Sequence, residues 1–228
     1  MDVTMLTAED CKNILLGVAM DNQAKELKKK FDFFRVINPK KAYGGEWCKY
    51  LHYRHDDEWG YYRVICDMFV MVVERQLTEN DVINCTQMPA FGDAILKNVN
   101  NGGYSVDKKG NGKATADVGK IPDFHKPFAT DKGIEITLDL GGAKKSKSGG
   151  LYQIPAYPVG GGELRYLYMP DGGFKTINYL RTKLMTTKCR FDFERPGGVY
   201  FEKGNYQAIV MPANLANYKD EMKEFEND

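Results

Sequence analysis

The stretch Cys48-Lys49-Tyr50-Leu51-His52-Tyr53-Arg54-His55-Asp56-Asp57-Glu58-Trp59-Gly60-Tyr61-Tyr62, continued through Cys66, Phe69 and Val73, decides how the first part of the chain is read. Cys48, His52, His55, Trp59, Tyr62, Cys66, Phe69 and Val73 follow one another at alternating intervals of four and three. A repeat averaging 3.5 residues places its members along one face of a helix. The spacing predicts a helix from Glu46 to about Leu77, on the order of 48 Å long if unbroken. Gly60 costs a helix about 1 kcal/mol relative to alanine and marks the place for a kink or break.

Upstream, Thr7 can cap a helix whose first turn holds Glu9 and Asp10. Cys11, Ile14, Leu15, Val18, Leu27, Phe31 and Phe34 recur at helical spacing, and this helix ends before Pro39. Lys25, Lys28, Lys29 and Lys30 make a basic last turn that matches the helix dipole. Downstream, Thr78-Glu79-Asn80-Asp81 offers another cap, and residues 91–99 a further short helix. Composition changes near residue 100. Residues 1–100 hold five of the 23 glycines and four of the five cysteines. Beyond that point glycine pairs recur as turn signals, at 102–103, 141–142, 149–150, 160–162, 172–173 and 197–198. Strand-like runs lie between them at 133–140, 151–157, 163–169, 174–185, 189–194 and 199–211, with a terminal helix within 212–226. The expected fold is α+β: an N-terminal helical part (1–100), then a domain (101–228) holding a small antiparallel β-sandwich or barrel and a short C-terminal helix.

Thirty-two basic and 31 acidic side chains give a formal charge of +1, so affinity for nucleic acid or a membrane surface must come from a local patch. The 43% hydrophobic and 28% charged shares are those of a globular protein. Met1-Asp2-Val3-Thr4 lacks a basic leader, and the apolar runs 14–20 and 64–73 are too short to span a bilayer. Five scattered cysteines fit a reduced setting better than a disulfide framework.

No complete catalytic motif is present. On a helix, Cys48, His52 and His55 would share a face, and zinc accepts both thiolate and imidazole. Their neighbours Trp59, Tyr62 and Phe69 make the packed-helix reading the simpler one, so no metal and no cofactor is expected. Asp107-Lys108-Lys109-Gly110-Asn111-Gly112 begins like a calcium loop. It has Lys109 and Val118 where oxygen ligands are required, which makes it a turn. Neither Gly110-Asn111-Gly112-Lys113 nor the 141–146 segment has phosphate-loop spacing. The acids Asp123, Asp131, Glu135 and Asp139 lack the lysine spacing of a metal nuclease. Lys144, Lys145 and Lys147 on a flexible hairpin could touch phosphates without sequence preference.

The strand-like segments Leu151-Tyr152-Gln153-Ile154-Pro155 and Glu163-Leu164-Arg165-Tyr166-Leu167-Tyr168-Met169-Pro170, with the helix-then-β plan, resemble the connector or adaptor ring proteins of tailed bacteriophages. That resemblance implies a non-enzymatic structural subunit of a virion, assembled in the host cytoplasm. It implies head–tail connector contacts with copies of itself and other structural proteins, and no membrane. A nucleic-acid-binding accessory protein is the alternative, and a metal-dependent enzyme using the His52/His55 face the third reading.

Overall fold

Two carboxylates turn the chain where the spacing predicts a helix. Asp56 Oδ1 accepts the backbone N–H of Glu58 at 3.1 Å and of Trp59 at 2.8 Å, and Gly60 follows at φ +64°. Asp67 Oδ1 accepts the N–H of Phe69 and of Val70, while its own N–H donates to Val70 O. These are side-chain-stabilised hairpin turns. After a short 3-10 turn at Glu46–Lys49, residues 50–77 therefore form three antiparallel strands, not a helix: β1 Tyr50–Asp56, β2 Gly60–Cys66 and β3 Val70–Leu77. Their Tyr, Val and Ile content suits a pleated sheet.

The structure is a computed structural model and describes residues 31–37, 45–84, 92–129, 131–186, 188–195 and 197–226. Residues 33–228 form one unit. The helix expected from Thr7 falls mostly outside the described residues, as do Cys11 and Cys85; residues Phe33–Arg35 make a 3-10 turn. The remaining strands are β4 Tyr104–Asp107, β5 Gly112–Ala114, β6 Ile134–Leu138, β7 Lys144–Lys145, β8 Leu151–Pro158, β9 Arg165–Pro170, β10 Lys188–Phe191, β11 Val199–Lys203 and β12 Tyr206–Val210. The helices among the described residues are α1 Glu79–Asn84, α2 Gly92–Asn100, α3 Asp171–Leu184 and α4 Lys219–Glu226.

All twelve strands belong to one antiparallel sheet in the order β5-β4-β1-β2-β3-β12-β11-β10-β6-β8, with β7 sharing an edge of β8 and β9 on its other side. This replaces the expected helical part and separate sandwich or barrel with one open sheet. Strands β4 and β5, past residue 100, pair with β1 ahead of it, and β12 closes against β3. The segment 174–185, expected as a strand, is the body of α3.

Cross-strand partners share a face, so the register can be followed from end to end. Tyr53 opposes Arg63, Ile65 opposes Val72, Val72 opposes Ala208, and Ala208 opposes Phe201. Beyond them Cys189 opposes Ile136, and Leu138 opposes Ala156. This face carries α1, α2 and α3, whereas Phe225 of α4 contacts Tyr168 on the other face. The Tyr61 hydroxyl meets Glu79 of α1 and Asn100 of α2, and Tyr152 stacks on Phe174 of α3. The opposite face holds Tyr62, Val64, Met71, Val73 and Ile209, which the 115–128 segment covers with Val118, Ile121, Phe124 and Phe128.

Candidate nucleic-acid interface

Helix α3 starts behind Pro170, whose extended backbone sets the turn, and Asp171 complements the dipole in its first turn. Thr176, Ile177, Leu180 and Leu184 recur at intervals of one, three and four and are buried against the sheet. Gly173 allows the close approach: a Cβ there would lie 2.7 Å from Met169 Sδ of β9. With one face fixed, the opposite face presents Lys175, Asn178, Arg181 and Thr182 to solvent, with Lys183 half-buried beside them. Lys175 Nζ is 2.6 Å from Asp171 Oδ2, and that hydrogen bond raises its pKa. Among the described residues no carboxylate forms an ion pair with Arg181 or Lys183. Arg35 extends the basic surface from the 33–35 turn, its guanidinium 5.5 Å above the Tyr179 ring, while Thr176 Oγ1 donates to Val36 O at 3.4 Å. Lys97 is exposed on α2, on the same side of the sheet. The acids of this side on α1 are engaged: Asp81 caps with Thr78, and Glu79 accepts from Tyr61.

The lysine hairpin reaches this surface through Lys145, whose cross-strand partner is Tyr152, while Lys144 opposes Gln153 on the other face. Lys144 and Lys145 form β7, and Lys147 is exposed in the following turn. Lys145 Nζ lies 5.3 Å over the Tyr152 ring and 3.9 Å from Asp171. Tyr152 in turn stacks on Phe174 at 3.9 Å and 2°. Asp171 N–H donates to Gly150 O, which ties the hairpin to the start of α3. The exposed cations of α3 stay hidden in the sequence, where its helical spacing passes for a strand. Ile177, Leu180 and Leu184 behind Pro170-Asp171 are the signal that could find it.

Cys48, His52 and His55 are not gathered on one face. His52 and His55 are three residues apart on a strand and point to opposite sides of the sheet. His52 is fully buried; its Nε2 is 3.0 Å from Trp47 O and its Nδ1 2.8 Å from Ser105 Oγ. A carbonyl only accepts, so Nε2 carries the proton, Nδ1 accepts from Ser105, and Ser105 accepts from Thr115 Oγ1 at 2.9 Å. Burial lowers the His52 pKa to about 4. His55 is exposed beside the Tyr61 ring at 4.3 Å. Cys48 is buried in the 3-10 turn, and burial pushes the Cys66 thiol up to about 12, so it is inert. Among the described residues no three His, Cys, Asp or Glu side chains are placed to hold a metal ion. Asp107 spends its carboxylate on the Lys109 and Asn111 amides of its turn. Among the described residues no helix is long and apolar enough to cross a membrane.

These features define a class: a non-barrel antiparallel sheet with three of its helices on one side and basic groups outermost on that side. Solved structures with some likeness in fold include DNA polymerase III beta subunits. The chain is similar to DNA polymerase III subunit beta from Borrelia burgdorferi (TM-score 0.44, 9% identity, covering 82% of this chain and 61% of that one). It is similar also to the Helicobacter pylori beta clamp bound to DNA ligase peptide (0.45, 12%, 82% and 62%) and to the Caulobacter crescentus pol III beta protein (0.43, 11%, 79% and 63%). The chain thus spans about three fifths of the length of these structures, and a likeness at such identities concerns the fold alone. No family model and no curated protein sequence matches. The expected likeness to phage connectors is corrected on two grounds. Residues 50–77 of its expected helical part are strands, and the similar structures named are polymerase clamps and not connectors. The virion subunit, its head–tail partners and its virion location fall with it.

Proposed function

We propose that the chain is a non-catalytic, DNA-holding protein of clamp type, with the α2 and α3 side of its sheet toward the duplex. The class is that of the solved structures of similar shape; the support is this chain's own. The observation that carries the reading is the outward row of α3, where Arg181 and Lys183 stand near Arg35 at one end of the helix and Lys145 of the hairpin meets its other end at Asp171. With a net charge of only +1, such a one-sided cluster is what phosphate contact requires. Asn178 adds a neutral donor for phosphate oxygens, and contacts to phosphate carry no sequence information, so the binding expected is sequence-independent. Strand β5 leaves a sheet edge whose backbone groups can pair with a second copy, which makes self-association part of the same reading.

The test is fluorescence anisotropy of a labelled duplex across a salt series. Arg181→Ala with Lys183→Ala weakens binding and lowers the log–log salt slope by about 0.9 for each phosphate no longer neutralised. Affinity and slope unchanged in that variant, with the fold intact by circular dichroism, would remove the reading.

A further inference from the structure

His125 sits where one segment of the chain closes over another. The 115–128 segment lays Val118 and Phe124 over Trp47 and His52, yet among the described residues its 119–128 part pairs with no strand. Its further fastenings are polar. The Tyr200 hydroxyl donates to Pro127 O at 3.2 Å, and the His125 ring lies between two carboxylates of the β1–β2 turn. Nε2 is 2.8 Å from Asp56 Oδ2, Nδ1 is 3.1 Å from Glu58 Oε2, and the ring centroid is 3.8 Å from that of Trp59. A neutral imidazole carries one N–H. With that proton on Asp56, the Nδ1 lone pair would face the Glu58 carboxylate, and Nδ1 is buried away from water. Only the imidazolium meets both acids with a proton. Burial opposes the charge on Asp56, but the Trp59 amide and the His125 contact outweigh it and lower its pKa.

We propose that His125 is a protonation-operated latch: as imidazolium it fastens the 115–128 segment to the β1–β2 turn, and on losing its proton it lets go of Glu58 and the segment loosens. This goes beyond DNA holding and does not depend on it. The charged and titratable groups about the ring are Arg54, Asp56 and Glu58 from β1 and its turn, Tyr62 from β2, and Asp123 and Lys126 from its own segment. Asp123 also accepts the backbone N–H of His125 at 3.0 Å, which fixes the ring's point of attachment. The closed form is the protonated one, so the hold is full at low pH and is lost as pH rises through the range where imidazoles discharge, pH 5 to 8. That sign is opposite to the one for His52, whose burial lowers its pKa to about 4 and keeps it neutral across this range. Loosening lifts Phe124 from His52 and lets water into the layer beneath.

Amide hydrogen exchange of the full-length protein, corrected for the intrinsic effect of pH on exchange, is the test. The amides of Phe128 and Ala129 donate to His125 O and report on the segment, while those of Val72 and Ala208 lie in the β3–β12 pair and report on the sheet. Between pH 5.5 and pH 8 the protection of Phe128 and Ala129 falls about fivefold, the factor for an exposed ion pair at the upper end of its range. The sheet amides keep theirs. His125→Gln leaves the segment at the looser level at both pH values. Glu58→Gln, at a side chain largely in solvent, preserves the fold and abolishes the fall, since an amide can donate to the neutral ring. His55→Gln, on an exposed histidine outside the segment, keeps the fall in full. Wild-type protection that is flat across this range, a fall that survives in His125→Gln, or one shared by the sheet amides would overturn the latch.

Discussion

At the scale of single residues, His52 shows how burial sets chemistry in this protein. Its ring lies in a dry layer under Phe124, 5.7 Å between centroids, with one nitrogen donating to Trp47 O and the other accepting from Ser105. Desolvation holds its pKa near 4, with the Arg54 charge acting in the same direction. In the unfolded chain the same imidazole titrates near 6.5. Between these values the unfolded state binds the proton and the folded state does not, so stability falls as pH falls through that window and is at its full value above it. The loss attributable to His52 between pH 6.5 and pH 4 is roughly 3 kcal/mol. Urea unfolding at successive pH values checks this, with His52→Gln as the comparison. The variant removes this part of the pH slope, and an unaltered slope would show that His52 is not its source. The same burial explains why the residue types of a zinc site are present without its geometry: on a strand, a three-residue interval separates two side chains instead of aligning them.

At the scale of elements, α3 is the piece on which both fold and function turn, and it tests the packing directly. Leu180 is fully buried, and Leu180→Ala costs about 3 kcal/mol through forfeited transfer energy and the cavity left behind. The helix ends at Met185 in the left-handed region, φ +50°, with its side chain 86% exposed. Glycine takes that backbone without strain and the methionine side chain is largely in solvent, so Met185→Gly raises stability by about 1 kcal/mol in chemical unfolding. These elements also show what the sequence made legible. Runs such as Cys189-Arg190-Phe191 alternate because one face is buried and the other meets water; β6, β11 and β12 lie within stretches expected to be strands, and β8 and β10 exceed theirs by one residue. The β1–β3 region is buried on both faces under α1, α2 and the 115–128 segment, which leaves nearly continuous apolar runs. Residues from opposite faces then fall by accident into a 3.5-residue pattern, while Asp56, Gly60 and Asp67 carry the turn signal. Gly172 and Gly173 read as a turn before a strand because their need, close packing of α3 on β9, is tertiary and leaves no local mark. For the site, the lysine hairpin is visible as a basic run; the cations of α3 are not, since that helix is hidden.

At the scale of the molecule, the decisive feature is that the sheet runs unbroken from β5 to β9 through the β3–β12 seam. Five registered pairs form that seam, from Tyr206 opposite Glu74 to Val210 opposite Val70. Beside it lies a largely buried ion pair, Arg63 with Glu74, with the Arg63 guanidinium also 4.7 Å over the Phe33 ring. Burial and the neighbouring Glu74 charge both raise the Tyr206 pKa, which keeps that hydroxyl neutral at the node. Hydrogen bonding and apolar burial across the seam mean that neither half presents a finished surface without the other, so the 33–228 unit unfolds in one cooperative step. Two probes see different parts of it. Trp47 and Trp59 both lie in the β1–β3 half against Val118 and Phe124, and they are the protein's two tryptophans. Far-ultraviolet circular dichroism reports the whole sheet. The two urea transitions coincide. Arg63→Ala leaves Glu74 without its counter-charge in a largely buried place, which costs about 3 kcal/mol, and it moves both transitions by the same amount because the node serves both halves. A tryptophan transition displaced by Arg63→Ala while the dichroism midpoint of the rest stays fixed would mean that the halves fold separately and that the seam does not couple them.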